Sequence, residues 1–501
     1  MKNADKLLDL IGELDEEMIP EMPLKGEGAK SEVKKKTGKN RKILWIELGI
    51  AAAAVILAIS IALPKVLYKK KGKNSDAKIL LAEPVYPEMV MKPEYDFEGM
   101  KNGTFDRDAY REQYQAWRDS YDERKSLPKD YEDAYKAFLS KSTSVFMEEV
   151  NSNNNFVYSP LSLYLSMCIA AESANGNTRE QILNVLGVPD IETLRHNVKA
   201  LFLANYVDDG FAKCLPANSL WLNDRFDFKN ETVERLATEY YSSVFSGDPE
   251  DDSYKDEFIK WIDRQTDGLL SDYTSDMELD PNMLFMIAST INFSGKWTDR
   301  FHEEETEEGV FHANSGDITC DFMHKDYDTY DCFSEEGYKA VEMRLDGNGK
   351  MRLILPDKGN SVQNLLADDD FITFLNSNVR GDAAMAKLAI PKFDVSGEND
   401  MIDELKKLGI TDAFDEDKCD LSSIIEMGRN KKAYVDKVKQ DVRVMIDEEG
   451  CKGAAVTVWA MKTCAAPSTR LNLVFDRPFI FEIFSENGTL LFVGVVNTPS
   501  N

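Results

Sequence analysis

Histidine is what this sequence has least of for its size. Only four, His196, His302, His312 and His324, are spread over 501 residues. They stand at no metal-ligand spacing, and the first three have no partner pattern for nucleophilic catalysis. The seven cysteines, Cys168, Cys214, Cys320, Cys332, Cys419, Cys451 and Cys464, include no Cys-x-x-Cys pair, which argues against a zinc site or thioredoxin-like chemistry. Their odd number leaves at least one thiol free in a monomer, and a chain this large needs no disulfide staple, so most are expected as small buried hydrophobes. No Ser/His/Asp elbow and no metal motif occurs, so neither an enzyme nor a metal or other cofactor is expected. Positive charge is also short: 60 Lys and Arg stand against 89 Asp and Glu, a net charge of −29. That balance argues against nucleic acid, or an anionic membrane surface, as a partner of the soluble part.

Long apolar runs are missing too, with one exception. Ile43 to Leu63 reads ILWIELGIAAAAVILAISIAL and carries a single charge, Glu47. At about 1.5 Å per residue such a helix spans a hydrocarbon core of about 30 Å. Lys30, Lys34, Lys35, Lys36, Lys39, Arg41 and Lys42 precede it, and Lys65 and Lys69 to Lys71 close it. The long basic stretch before the run, and the lack of an A-x-A site after it, distinguish it from a cleaved signal peptide. A transmembrane anchor is expected at 43–67. The positive-inside rule puts a cytoplasmic head at 1–42 and the remainder outside a cell. Leu7, Leu8, Leu10, Ile11, Leu14, Met18 and Ile19 give the head a short amphipathic pattern.

Residues 68–128 read as a polar stalk, punctuated by Pro84, Pro87, Pro93 and Pro128. Within it, Asp106 to Lys125 places Tyr110, Tyr114, Trp117 and Tyr121 at helical spacing, a face suited to packing on the main domain. Residues 129–501 form one α+β domain. Helical patterns come first, at Tyr131–Val150, Ser162–Ala171, Thr178–Leu186, Glu231–Tyr241 and Asp256–Thr266. Strand patterns dominate later, at Ala340–Arg344, Met351–Leu355, Ala386–Ile390, Val442–Ile446, Leu471–Phe475, Phe479–Phe484 and Leu490–Val496. The last two flank Asn487-Gly488, a hairpin signal.

Several segments follow one another along the chain. Asn155-Phe-Val-Tyr-Ser159-Pro160-Leu-Ser162 is a capped helix start. Ala174-Asn-Gly176-Asn-Thr178, Ala217-Asn218-Ser-Leu220-Trp221, Trp261 through Gly268, and Phe293-Ser-Gly295-Lys296-Trp297 with Phe301 follow. Then come Ile390-Pro391-Lys392-Phe393, Leu405 through Phe414, Asp420-Leu-Ser422, Ile446-Asp-Glu448-Glu449-Gly450, Gly453-Ala454-Ala455, Phe475-Asp-Arg-Pro478-Phe479-Ile-Phe481 and Leu491-Phe492-Val-Gly494. In that order, from about residue 130 to the C-terminus, the sequence resembles the serpin family of serine protease inhibitors. The resemblance implies a serpin fold: a large central mixed sheet, further sheets, about eight or nine helices and an exposed reactive loop.

The resemblance also implies a mechanism. A target serine protease would attack one bond of the loop at about Gly450 to Asn472. The cut loop would then enter the central sheet as a new strand, before the acyl-enzyme can deacylate. The hinge comprises Glu448, Gly450, Cys451, Gly453, Ala454 and Ala455. If Gly450 is the pivot, Cys451, Gly453, Ala455 and Thr457 face inward, and all are small. Cys451, Lys452 and Gly453 depart from the family's usual Thr or Ser, Glu and Ala. In the sheet-opening region, Ser159, Ser162 and Trp297 match the family, whereas Gln440 stands for a His and Ile259 for an Asn. The family's spacing from Glu448 puts the reactive bond at Cys464–Ala465, where a small side chain suits an elastase-like pocket; Lys462 or Arg470 would suit a trypsin-like one. The alternative is a non-inhibitory serpin that acts as an extracellular binding or sensor module.

Overall fold

The computed structural model of the protein describes residues 79–499, apart from Glu94, Glu149, Phe211, 271–278, 426–432, 436–437 and 452–468. The head at 1–42 and the anchor at 43–67 lie outside the described residues. Among the described residues no helix is long and apolar enough to cross a membrane.

Two large sheets and a two-stranded ribbon organise the chain. The first sheet runs β1 (Leu80–Ala82), β5 (Ser242–Gly247), β4 (Ala212–Asn223), β6 (Phe285–Lys296) and β14 (Gly450–Cys451), with β3 (Val207–Asp208) paired on β4. It is mixed: β4 lies parallel to β5 and antiparallel to β6. The second runs β15 (Arg470–Val474), β11 (Asp382–Pro391), β8 (Gly316–Glu335), β9 (Tyr338–Arg344), β10 (Lys350–Pro356), β16 (Phe479–Phe484), β17 (Leu490–Val496) and β2 (Phe156–Tyr158), with β7 (Glu307–Ala313) on β8. The ribbon pairs β12 (Phe393–Asp400) with β13 (Lys439–Ile446).

Eleven α-helices occur among the described residues: α1 (Phe97–Asn102), α2 (Arg107–Lys125), α3 (Asp130–Met147), α4 (Pro160–Ser173), α5 (Gly176–Leu186), α6 (Ile191–Asn205), α7 (Asn230–Glu239), α8 (Asp252–Thr266), α9 (Val362–Leu366), α10 (Asp369–Leu375) and α11 (Ile402–Lys407). The sequence dictates their places. Helix α4 is apolar nearly all round, with Leu161, Leu163, Leu165, Cys168, Ile169 and Ala171 buried, so it must sit inside the protein. Ser159 caps it by accepting from the Ser162 N–H, and Pro160 occupies its first turn. Helix α8 is amphipathic instead. Tyr254, Phe258, Trp261 and Ile262 make one buried stripe, which packs on Ala217, Trp221 and Phe245 of the first sheet. Asp251 caps it through the Ser253 N–H, so the helix starts at Asp252, four residues before the apolar pattern alone starts it. Strands β16 and β17 are buried at every position. Their turn is the expected Asn487-Gly488 hairpin, with Gly488 at φ +84° and the Ser485 N–H donating to the Thr489 carbonyl.

The segment expected as a stalk differs from residue 79 onward. Leu80–Ala82 pairs antiparallel with β5, and Ala82 is buried in the main core. Tyr86 stacks on Tyr206 at 5.1 Å between ring centroids. From residue 79 onward this stretch is therefore no free tether, because apolar residues between its prolines and charges find partners on the domain.

Candidate functional site

The site is built where β13 ends. The chain turns at Asp447–Gly450 and comes back along β6. The Asp447 N–H donates to the Gly450 carbonyl, and the Gly450 N–H donates to the Asp447 carbonyl and side chain. The Glu449 N–H also donates to the Asp447 carboxylate, at 2.9 Å. Gly450 then pairs with Lys296, and Cys451 with Gly295, antiparallel. Only glycine fits this pivot. Its φ is +138°, and a Cβ would lie 2.4 Å from the Gly295 carbonyl oxygen and 2.9 Å from the Trp297 nitrogen, both backbone atoms.

Trp297 and Glu448 fasten the turn. The Trp297 ring is buried, and its indole N–H donates to the Asp447 carbonyl at 2.9 Å. The Trp297 and Phe301 backbone N–H groups donate to the carbonyls of Glu449 and Glu448. The Glu448 carboxylate accepts from the Thr306 hydroxyl at 2.8 Å and pairs with Lys392 at 3.3 Å. Burial alone would raise the Glu448 pKa; the hydrogen bond from Thr306, the residue's own backbone N–H and Lys392 outweigh it and hold the carboxyl below its ordinary value. Glu449 meanwhile pairs with Arg300 at 2.9 Å on the solvent side.

A second polar cluster lies beneath the sheet, at the start of α4. Gln440 of β13 uses both ends of its amide on one residue: its oxygen accepts from the Ser159 N–H at 2.9 Å, and its nitrogen donates to the Ser159 carbonyl at 3.0 Å. The Ser159 hydroxyl donates to the Leu491 carbonyl at 2.8 Å. Ser162 donates to the Ser289 carbonyl of β6 at 2.9 Å, and the Ser289 hydroxyl donates to Asn218 at 2.7 Å. The first turn of α4 thus holds β13 through Gln440 and β6 through Ser162. Ile259 joins none of this. It is on α8, packed with the apolar cluster on the sheet's other side.

The structure therefore brings Glu448, Gly450, Cys451 and Trp297 together at the top of β6, and Ser159, Ser162 and Gln440 together below. Gly453, Ala454, Ala455, Cys464 and Ala465 lie outside the described residues. Beyond them, β15 is anchored: Arg470 to Val474 pair parallel with Met385 to Ala389. Four residues that hold the turn, Asp447, Arg300, Thr306 and Lys392, were not singled out by the sequence reading. A signal was present for two of them: Lys392 and Asp447 stand inside segments that carry the resemblance, Ile390-Pro391-Lys392-Phe393 and Ile446-Asp-Glu448-Glu449-Gly450.

Comparisons agree with this geometry. The family model "Serpin (serine protease inhibitor)" matches residues 139–499. Serpin-Z2B of rice is 27% identical over 389 residues, covering 70% of this chain and 93% of its own. An uncharacterized serpin-like protein of Thermococcus kodakarensis is 27% identical over 369 residues, covering 71% and 84%. The structure of Serpin48 from the insect Tenebrio molitor superposes with a TM-score of 0.63 at 22% identity, covering 75% of this chain and all of that one. The chain belongs to the serpin family, whose members are generally inhibitors of proteases rather than catalysts.

Proposed function

We propose that this protein is a suicide inhibitor of serine proteases, held at the cell surface by residues 43–67 with its head in the cytoplasm and its serpin domain outside. The observation that carries the inhibitory reading is the pairing of Gly450 and Cys451 with Lys296 and Gly295. The loop leaves β13, reverses and already points down the edge of β6. Continued in the same register, Gly453, Ala455 and Thr457 come opposite Phe293, Ile291 and Ser289, and Met461 comes opposite Phe285. Phe293 and Ile291 pack on the main core, so the odd-numbered hinge residues would face the same interior on insertion, where their small size demands least rearrangement. Some ten further ladder hydrogen bonds, at about 1 kcal/mol net each, supply on the order of 10 kcal/mol for insertion.

In the reaction, the protease serine attacks the Cys464 carbonyl and the bond to Ala465 breaks. The Ala465 amine takes a proton and leaves, and Cys464 remains as an ester on the protease. Arg470–Val474 stays on β11 while the severed hinge side zips along β6, carrying the ester with it. Small side chains at Thr463, Cys464, Ala465 and Ala466 suit a shallow elastase-like pocket. The test is incubation of the protein with elastase-like and trypsin-like proteases. An SDS-stable complex with the former supports the reading. Cleavage of the loop without any covalent complex, across the whole panel, rejects inhibition in favour of a non-inhibitory binding module.

A further inference from the structure

Residues 79–125 form a strap across the two parts of the fold that loop insertion must move relative to each other. Its first fastening is on the first sheet: β1 adds an edge strand to β5, with Leu80 opposite Phe245 and Ala82 opposite Val244, and the Ser246 N–H donates to the Ile79 carbonyl at 2.7 Å. Its second is aromatic. Tyr86 stacks on Tyr206 at 5.1 Å and on Phe202 at 6.2 Å, both at the end of α6, and on Tyr241 at 6.3 Å, next to β5. Its third is polar, at the β3–β4 turn. The Lys92 N–H donates to the Asp209 carbonyl, the Trp117 indole N–H donates to the Asp209 carboxylate at 2.9 Å, and the Lys92 ammonium sits 5.0 Å above the Trp117 ring. Its last is on the other part: Arg124, at the end of α2, pairs with Glu486 at 3.9 Å, in the turn between β16 and β17 of the second sheet.

We propose that this strap is a brake on sheet opening, so that the segment sets how long the uncut inhibitor stays in its active form. The proposal rests on the inserting mechanism above. For a strand to enter beside β6, the half made of β5, β4 and β6 must shift against the second sheet. The strap is fastened at one end to the half that shifts and at the other to the half that stays. The shift breaks some of the Tyr86, Trp117 and Arg124 contacts, so those contacts stabilise the uninserted state relative to the transition state for insertion.

The test uses the full-length chain in detergent micelles, held without protease at moderately elevated temperature. The readout is the rate at which it converts to a heat-resistant form whose loop no longer accepts cleavage. Tyr86→Ala removes the aromatic fastening, and Trp117→Phe removes only the indole donor to Asp209. Conversion is expected about tenfold faster in Tyr86→Ala, the rate equivalent of about 1.4 kcal/mol, and several-fold faster in Trp117→Phe. If Tyr86→Ala does not fold, Trp117→Phe decides alone. Rates within twofold of the parent overturn the strap. A control separates this from the mechanism beneath it. If loop cleavage of the parent brings no gain in thermal stability, insertion itself fails and the brake falls with it; if the gain is present and the variants convert at the parent rate, only the brake is rejected.

Discussion

The carboxylate of Glu448 lies 3.3 Å from the ammonium of Lys392, and this pair joins the chain just after β13 to the residue just before β12, next to the pivot at Gly450. Both residues lie just beyond the end of the same ribbon, whose terminal pair is Ile446 with Phe393, so strand register brings them near each other. The sign of its pH dependence follows from the Glu448 carboxyl, which is held below its ordinary value of 4.5. The stabilisation is fully present above that ordinary value and is lost as pH falls through the folded pKa. Glu448→Gln should lower the melting temperature at neutral pH by a few degrees, consistent with about 1 kcal/mol for a partly exposed pair. The difference from the parent should shrink as pH falls below 4.5. Thermal melts at several pH values check this, and a gap that persists unchanged in strong acid rejects it.

Gln440 gives a second, independent prediction. Its amide satisfies both backbone groups of Ser159, which is buried. Gln440→Leu leaves the Ser159 N–H without a partner, at a cost of about 1–3 kcal/mol, while the Ser159 carbonyl keeps the Leu163 N–H. Gln440→His keeps one of the two bonds and should lie between. Denaturant melts of the three proteins should rank parent, His variant, Leu variant. A Leu variant as stable as the parent would show that water or another group reaches Ser159.

Much of this architecture was legible because local chemistry and tertiary burial agree. Ser159-Pro160 reads as a helix start, and it is one; the run at Leu490–Val496 reads as a buried strand, and all seven residues are buried. What periodicity could not give were elements whose residues face two environments. Strand β8, Gly316–Glu335, is exposed at both ends and mixes buried and exposed stretches between them, so no single alternation persists. Helix α6 has a capped start, with Asp190 accepting from the Thr193 N–H, yet it lies outside the helical patterns named from periodicity. At the site, Glu448 and Gly450 stood out through the resemblance, whereas Thr306 and Arg300 did not, because their partners are more than a hundred residues away in the chain and no spacing rule links them. In the segment at 79–125 the aromatic face of 106–125 was legible, and Trp117 does bond the domain at Asp209; the attachment at Ala82 and Tyr86 was not, because polar composition there suggests a stalk.

Gly450 tests the pivot directly. Any side chain there meets backbone atoms at under 3 Å, and φ of +138° lies where other residues are strained. Gly450→Ala should therefore release the pairing with Lys296 and Gly295 at a cost of about 1–3 kcal/mol. Hydrogen exchange should rise at Lys296 and Cys451, with the rest of β6 unchanged. The covalent complex should form with a higher stoichiometry of inhibitor to protease, because a hinge that starts outside the sheet loses time to deacylation. Exchange identical to the parent would show that the turn at Asp447 holds without the glycine.

The reactive bond is tested by the fragment it releases. Between the hinge at Cys451 and the anchored strand at Arg470, the proposed attack falls at Cys464, flanked by Thr463 and Ala465. A shallow pocket accepts a side chain of that size, whereas a deep pocket with a carboxylate at its base gains nothing from it. Mass spectrometry after reaction with an elastase-like enzyme should find a C-terminal peptide beginning at Ala465. Cys464→Arg should move inhibition toward trypsin-like enzymes by several orders of magnitude, since a buried bidentate guanidinium–carboxylate pair then forms. The position is separable from its neighbours. A peptide beginning at Thr463 assigns the bond to Lys462, and one beginning at Leu471 assigns it to Arg470; either result makes the natural target trypsin-like. The Leu471 outcome carries a further cost for the mechanism, because Arg470 is paired with Met385, and a protease reaching that bond must first peel β15 from β11.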